Sequence, residues 1–380
     1  MIFAPTRVAP CLLIAGALCA TVISPFARAA TGTGEMPPLV LRPVPAVRPP
    51  AVRVTPQVAP QVTPQAKSVQ PAPSKASQLA AEAERLRRIN LAKSWGYQLN
   101  GIKLEELQRS PYDMLIVDAT TGLAAGRHFK PEEVAQLKTK TDGGKRLVLS
   151  YLSVGESEDY RPEYFSAEYM EEEAPDWLRK ENPDWKGNRI IAFCHEGWQK
   201  TILGDERGRS VYNDIDPSPL YRLIELGFDG IYLDRVDVYE ETLKDCPNGD
   251  VKMVDFIARL AAHARKKNPH FMVILQNAED LLKQPKMVAA IDAVAKESLF
   301  HGWGGGDGSN KSKINSADSV KWSVERLNIA KNAGRGVFVV DYAGNRSAAE
   351  TSVRRINELG YVPYIGPKAL DTLWLPGRNF

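Results

Sequence analysis

Gly227-Phe228-Asp229-Gly230-Ile231-Tyr232-Leu233-Asp234 is the stretch whose reading decides the fold. Its second half is a short apolar run that stops on a carboxylate. A strand buried on both faces by covering helices has this pattern, whereas a strand with one wet face alternates apolar and polar residues. The signature recurs along the chain. Gly96–Leu99, Asp113–Ala119, Arg146–Val154, Gly230–Asp234, Phe271–Gln276, Ala293–Leu299, Gly336–Tyr342 and Tyr361–Ile365 all read as strands, eight in total. Helices are expected between them at Pro131–Lys140, Pro219–Gly227, Val251–Lys267, Asp318–Asn332 and Ala348–Leu359. In the third of these, Val251, Val254, Ile257, Leu260, Ala261 and Ala264 are placed on one face, and Asn268-Pro269 ends it. Eight strands with helical crossovers predict an α/β fold, a (β/α)8 TIM barrel rather than an open sheet. A long insert follows strand three. It contains Arg189–Cys194, which reads as an extra strand and would spoil the count of eight.

Outward from the barrel, the composition agrees. The chain has 380 residues, 43% of them hydrophobic and 25% charged, which is ordinary globular composition. The net charge of +3 forms no basic stripe, so a nucleic-acid partner is not expected. Residues 1–29 read as a signal peptide: Arg7 gives a positive start, Cys11 to Ile23 are almost all apolar, and Ala27-Arg28-Ala29 supplies the small-x-small cleavage site. That run is shorter than the roughly twenty residues of a comfortable membrane span, and no later stretch is long and apolar enough. The expectation is a secreted or periplasmic protein with no membrane span after cleavage. Residues 30–75 are a linker rich in proline, valine and glutamine, with no way to bury a core. It reads as a semi-rigid spacer, or as a tether associating the protein with the cell envelope. Residues 76–380 are the barrel domain, entered through a helix over Ala76–Lys93. After cleavage only Cys194 and Cys246 remain, either as one disulfide or as two separate thiols.

In such barrels the reacting groups stand at the carboxyl ends of the strands. Those positions hold Tyr97, Asp118, Tyr151, Glu156, Tyr232, Asp234, Asp237, Gln276, Asn277, Glu297, Asp341 and Tyr342. Acids recur there at positions where apolar residues would be easier to bury. Two placed carboxylates suffice to break a glycosidic bond, one as nucleophile or base and one as proton donor. Asp234 and Glu297 are the candidate pair, on strands facing across part of the mouth. Asp234 is expected ionised as the nucleophile. Glu297, among Ala295, Leu299 and Phe300, is expected protonated as acid/base in a retaining mechanism. Trp303 is the tryptophan placed at a sugar subsite. His301–Gly308 lacks both GxGxxG spacing and a following lysine-serine, so it reads as an active-site loop. The sequence has no HExxH and no GxSxG, and neither a cofactor nor a metal is expected.

The ordered motifs carry a resemblance. Trp95-Gly96-Tyr97-Gln98-Leu99, Leu115-Ile116-Val117-Asp118, Ser150 to Glu156, Gly227 to Asp234, Gln276-Asn277 and Glu297-Ser298-Leu299-Phe300 together resemble glycoside hydrolase family 114. Its members are endo-α-1,4-polygalactosaminidases and their relatives, and the hydrolase domain of bacterial Pel-polysaccharide modifying proteins is similar. The resemblance covers roughly Trp95 to Tyr364. It implies a (β/α)8 barrel that cuts cationic galactosamine-rich polysaccharide, with Asp234 and Glu297 catalytic and Asp118, Tyr151 and Glu156 lining the groove. A carbohydrate-binding barrel without turnover, a hydrolase of another exopolysaccharide, and a scaffold acting through the proline-rich arm are the competing readings.

Overall fold

The structure is a computed structural model that describes residues 74–121, 127–161, 174–183, 185–211, 216–304 and 311–375. The expected signal peptide and nearly all of the linker lie outside the described residues. Helix α1 (Lys75–Leu91) leads into β1 (Trp95–Gln98), α2 (Leu104–Arg109), β2 (Met114–Val117), α3 (Pro131–Leu137) and β3 (Leu147–Ser153). Next come β4 (Glu156–Glu158), β5 (Leu178–Glu181), β6 (Asn188–Ile191), α4 (Glu196–Leu203), α5 (Pro219–Glu225) and β7 (Gly230–Asp234). The chain continues with α6 (Gly249–Lys267), β8 (Met272–Gln276), α7 (Pro285–Ala290) and β9 (Ala293–Glu297). It finishes with β10 (His301–Gly304), β11 (Lys311–Ile314), α8 (Ala317–Asn332), β12 (Gly336–Asp341), α9 (Arg346–Glu358) and β13 (Val362–Ile365).

Eight strands form one parallel sheet in the order β1-β2-β3-β7-β8-β9-β12-β13, and this sheet curls into the (β/α)8 barrel. All eight coincide with the apolar runs. The extra strand over Arg189–Cys194 exists as β6, but it pairs antiparallel with β4 and β5 in a separate three-stranded sheet. The barrel count therefore stays at eight. No ladder joins β1 to β13. Pro363 lies in β13 and has no N–H to donate to one. Side chains and the C-terminal segment close the seam instead: Trp95 Nε1 donates to the Val362 carbonyl at 3.1 Å, and Leu99 N donates to the Leu370 carbonyl at 2.8 Å.

Aromatic rings fill the interior. Tyr97 and Tyr232 lie 5.1 Å apart between centroids, and Trp95 meets Phe338 and Tyr364 at 5.7 Å each. One helix face differs from expectation. Val251 is 48% exposed, while Met253 and Phe256 are buried with Val254, Ile257, Leu260, Ala261 and Ala264. At about 100° per residue, Val251 falls roughly 140° from the centre of that buried arc. Helices α2, α4 and α7 carried no strong periodic signal and are six to eight residues long. Among the described residues no helix is long and apolar enough to cross a membrane.

Candidate active site

Successive side chains alternate across a strand, so the ladder register decides which residues share the barrel interior. Tyr232 pairs with Tyr151 on one side and Ile274 on the other, and Asp234 pairs with Ser153. Gln276 follows Leu275 by one step, pairs with Ala295, and so shares its face with Asp234. Glu297 pairs with Val340, two residues before Tyr342. One inward-facing set therefore contains Tyr151, Tyr232, Asp234, Gln276, Glu297 and Tyr342. Strands β7 and β9 each supply one carboxylate to the same end of the barrel, and β3, β8 and the residue after β12 supply the rest of the set.

After β7, β8 and β9 the backbone turns through the left-handed region on non-glycine residues: Arg235 at φ 56°, Asn277 and Ala278 at 51°, and Ser298 at 59°. Such residues are uncommon and collect where a side chain must be aimed. The turn at Arg235 also needs Gly155, because a Cβ there would stand 2.1 Å from the Arg235 carbonyl oxygen.

The two carboxyl groups have neutral donors. Tyr151 Oη donates to Asp234 Oδ2 at 2.8 Å, and the Arg235 backbone N–H donates to Oδ1 at 2.7 Å. Tyr342 Oη donates to Glu297 Oε1, and Gln276 Nε2 donates to Oε2 at 2.9 Å. Asn277 Oδ1 accepts the Glu297 backbone N–H at 3.0 Å, which fixes where that strand ends. Burial, then the charges of Glu297 and Asp237, push the Asp234 carboxyl up from its ordinary 3.8 to about 7, against the Tyr151 and backbone hydrogen bonds. The surroundings of Asp234, expected from the sequence to be ionised, therefore favour its protonated form near neutral pH. Burial above all keeps the phenols of Tyr97, Tyr151, Tyr232 and Tyr342 protonated well above their usual range.

The remaining expected residues divide. Tyr97 is buried under the carboxylates and stacks with Trp95 at 6.2 Å, so it belongs to the floor. Asp118, expected to line the groove, is instead fully buried. Its Oδ1 accepts from Thr120 N at 2.9 Å and Arg161 Nη1 at 3.0 Å, and its Oδ2 pairs with Arg161 Nη2. Glu156 is also inaccessible, accepting from Asn182 at 2.7 Å and Asn188 at 2.8 Å and pairing with Arg235 Nε at 2.8 Å. Asp341 is held by Ser352 Oγ at 2.8 Å and Phe300 N at 3.1 Å. These three acids are buried brackets for the loops at the mouth, because a buried carboxylate is tolerable only when paired or fully hydrogen-bonded. Asp237 is the open one, 41% exposed and 3.6 Å from Arg235 Nη1. Arg235 does not bind the Asp234 carboxyl through its guanidinium, which lies with Glu156, Asp237 and Glu241. Trp303 falls in β10, and its side chain lies outside the described residues. His301–Gly304 is strand rather than loop, and the rest of that glycine-rich stretch is likewise outside them.

Cys194 and Cys246 are joined, with Cα atoms 5.8 Å apart. The bond ties the segment after β6 to the stretch before α6. Sequence reasoning missed two residues. Arg161 closes on Asp118 and lies 5.3 Å over the Tyr151 ring; an arginine inside an insert gives no periodic signal. Gln276 was seen at a strand end but not assigned to the carboxylates, although its parity with Asp234 carries that information. Among the described residues no three His, Cys, Asp or Glu side chains are grouped to hold a metal ion.

A parallel eight-stranded barrel with two hydrogen-bonded carboxyl groups at the carboxyl end of its strands is an architecture that glycoside hydrolases use. The sequence model of glycoside-hydrolase family GH114 matches residues 75–376. The chain belongs to that family. It is 29% identical over 290 residues to an uncharacterized protein of Deinococcus radiodurans, covering 76% of this chain and 84% of the relative. It is also 29% identical over 326 residues to an uncharacterized protein of Methanocaldococcus jannaschii, covering 80% and 86%. The glycoside hydrolase domain of PelA from Pseudomonas aeruginosa has a similar fold, with TM-score 0.56 and 20% identity over 74% of this chain and 97% of that one.

Proposed function

We propose that the protein is an exported endo-glycosidase that hydrolyses α-1,4 linkages in a cationic, galactosamine-rich polysaccharide. The observation that carries this reading is the Asp234–Glu297 pair, two carboxyl groups at the mouth whose described donors are all neutral. A site with uncompensated negative charge concentrates ligands carrying free amines, an attraction that salt weakens. Fewer acids contribute than the sequence led us to expect, since Asp118, Glu156 and Asp341 are enclosed. Glu297 and Asp237 remain to contribute, because Asp234 carries a proton in this reading. Glycoside cleavage needs one carboxyl that holds a proton, and the raised Asp234 supports that role. In this reading Asp234 donates the proton to the leaving oxygen, and Glu297 is the nucleophile of a retaining double displacement. The chemistry needs two turns of proton transfer through Asp234 and no cofactor. The apolar run and small-residue site within residues 1–29 support export to the periplasm or medium, with the proline-rich linker as spacer or envelope tether.

Purified protein should be assayed for new reducing ends on polymers of galactosamine, glucosamine and their N-acetylated forms. The expected result is a rapid fall in chain length of the galactosamine polymer, slowed by salt, with the product anomer unchanged in its first-formed NMR signal. Faster cleavage of the N-acetylated polymer at high salt would sink the substrate. Binding without any cleavage would leave a carbohydrate-binding barrel.

A further inference from the structure

Two polar atoms inside the barrel have no hydrogen-bond partner among the described residues: the Tyr232 hydroxyl and Gln276 Oε1. Both side chains are enclosed, with Tyr232 at 0% and Gln276 at 3% exposure. Their neighbours are engaged, Tyr151 with Asp234 and Tyr342 with Glu297. The orientation of Gln276 is set by its own bond. Its Nε2 donates to Glu297, so the oxygen must face elsewhere as an acceptor. Strand parity puts Tyr232 two residues before Asp234 on the inward face and Gln276 beside Asp234. The Tyr232 hydroxyl also lies in the field of Glu297 first and Asp234 second. Leaving a buried polar group unpaired is costly, and two of them sit beside a pair of carboxylates.

We propose that Tyr232 Oη and Gln276 Oε1 are the specificity-determining acceptors for the free ammonium group of the amino sugar bound against Asp234 and Glu297. This rests on the functional reading above. An ammonium has three N–H donors and a positive charge, so it satisfies both neutral acceptors and a carboxylate together. A hydroxyl has one donor and no charge. An N-acetyl group has one N–H and adds an acyl group to an enclosed floor. A protein built to hydrogen-bond a substrate group rejects analogues that leave its own buried atoms unpaired.

The test is Tyr232→Phe, which keeps the ring and removes only the hydroxyl. Values of kcat/KM are measured on α-1,4-linked galactosamine oligomers with free amines and on their N-acetylated counterparts, and melting temperature is measured on the same samples. The free-amine value should fall about tenfold or more while the N-acetylated value changes by less than about threefold. Melting temperature should hold or rise, because an unpaired buried hydroxyl is removed. Gln276→Leu also removes the donor to Glu297 Oε2, so it should lower both values and lower the free-amine value further. Equal loss on both substrates, or no loss on either, overturns the proposal. So does a drop in melting temperature for Tyr232→Phe, which would show a hydroxyl with a structural partner. If the wild type cleaves neither oligomer, the functional reading fails by itself. Calorimetric binding of the free-amine oligomer then still decides: about tenfold weaker binding by Tyr232→Phe supports the ammonium site, and equal binding refutes it.

Discussion

Strands β7 and β9 each carry a carboxylate at both ends, and the two ends are treated in opposite ways. At the base, Asp229 precedes β7 and accepts from Arg88 at 2.8 Å, Lys138 at 3.2 Å and Val148 N at 3.0 Å. Asp292 precedes β9 and accepts from Arg85 at 2.9 Å, Arg265 at 2.8 Å and Val273 N at 2.9 Å. At the mouth, Asp234 and Glu297 end the same strands and, among the described residues, accept from tyrosine hydroxyls, an amide and the backbone. Base acids are neutralised by cations from α1, from α6 and from the segment after α3, so they fasten the helical shell to the barrel. Mouth acids keep their charge uncompensated, so one of them is driven toward protonation. The same residue type on the same strand is a rivet at one end and a reagent at the other. What differs is whether a guanidinium or ammonium is in reach.

The largest effect should come from the mouth. Asp234→Asn and Glu297→Gln should each fold and lose hydrolysis by at least about 10³-fold, read as initial rates on galactosamine polymer. Only Asp234→Asn should recover rate on a substrate with an activated leaving group, which needs no proton. Recovery in Glu297→Gln instead would exchange the two roles. Full activity in either variant would remove that residue from the chemistry.

At the base, Asp292→Ala leaves Arg85 and Arg265 without their shared carboxylate and should cost roughly 3–5 kcal/mol in denaturant unfolding. The kcat/KM of the remaining folded enzyme should be unchanged, and a matching loss of turnover would break the separation between the two ends. Next in size is the Cys194–Cys246 bond, with a separation of 52 residues. Chain entropy gives about 4 kcal/mol for a loop of that length, an upper figure because the reduced chain retains structure. Titration of the native protein should find neither thiol, and Cys246→Ser should melt lower with its kcat little changed.

The smallest effect is a pH signature. Asp234 binds its proton more tightly folded than unfolded, about 7 against 3.8, so its ionisation destabilises the fold as pH rises through that window. Asp234→Asn removes this loss and should be more stable than wild type at pH 8, by on the order of 1–2 kcal/mol, with the advantage shrinking toward pH 4. Wild-type hydrolysis should fall about tenfold per unit above pH 7 as the donor deprotonates. A flat profile from pH 6 to 9 would take Asp234 out of the donor role.

Much of this was legible in the chain. Gly230-Ile231-Tyr232-Leu233-Asp234 names a buried strand ending in a reagent, because burial on both faces writes itself into consecutive apolar residues. Asp234, Glu297 and Tyr151 could be found by asking which polar residues close such runs. Asp118, Glu156 and Asp341 answer the same question and are brackets, and nothing near them in sequence says so. Their partners Arg161, Asn188 and Ser352 sit 43, 32 and 11 residues away.

By itself the amino-acid sequence determined the eight strands, the barrel they close into and the two acids at its mouth. Those are set by local periodicity and by the alternation of side chains along a strand. Tertiary structure alone decided which acids are open and which enclosed, and raised the Asp234 carboxyl by burying it. It also placed the extra strand β6 in a sheet of its own. These depend on desolvation and on charges brought close by the fold, and such distances have no counterpart in the spacing of residues along the chain.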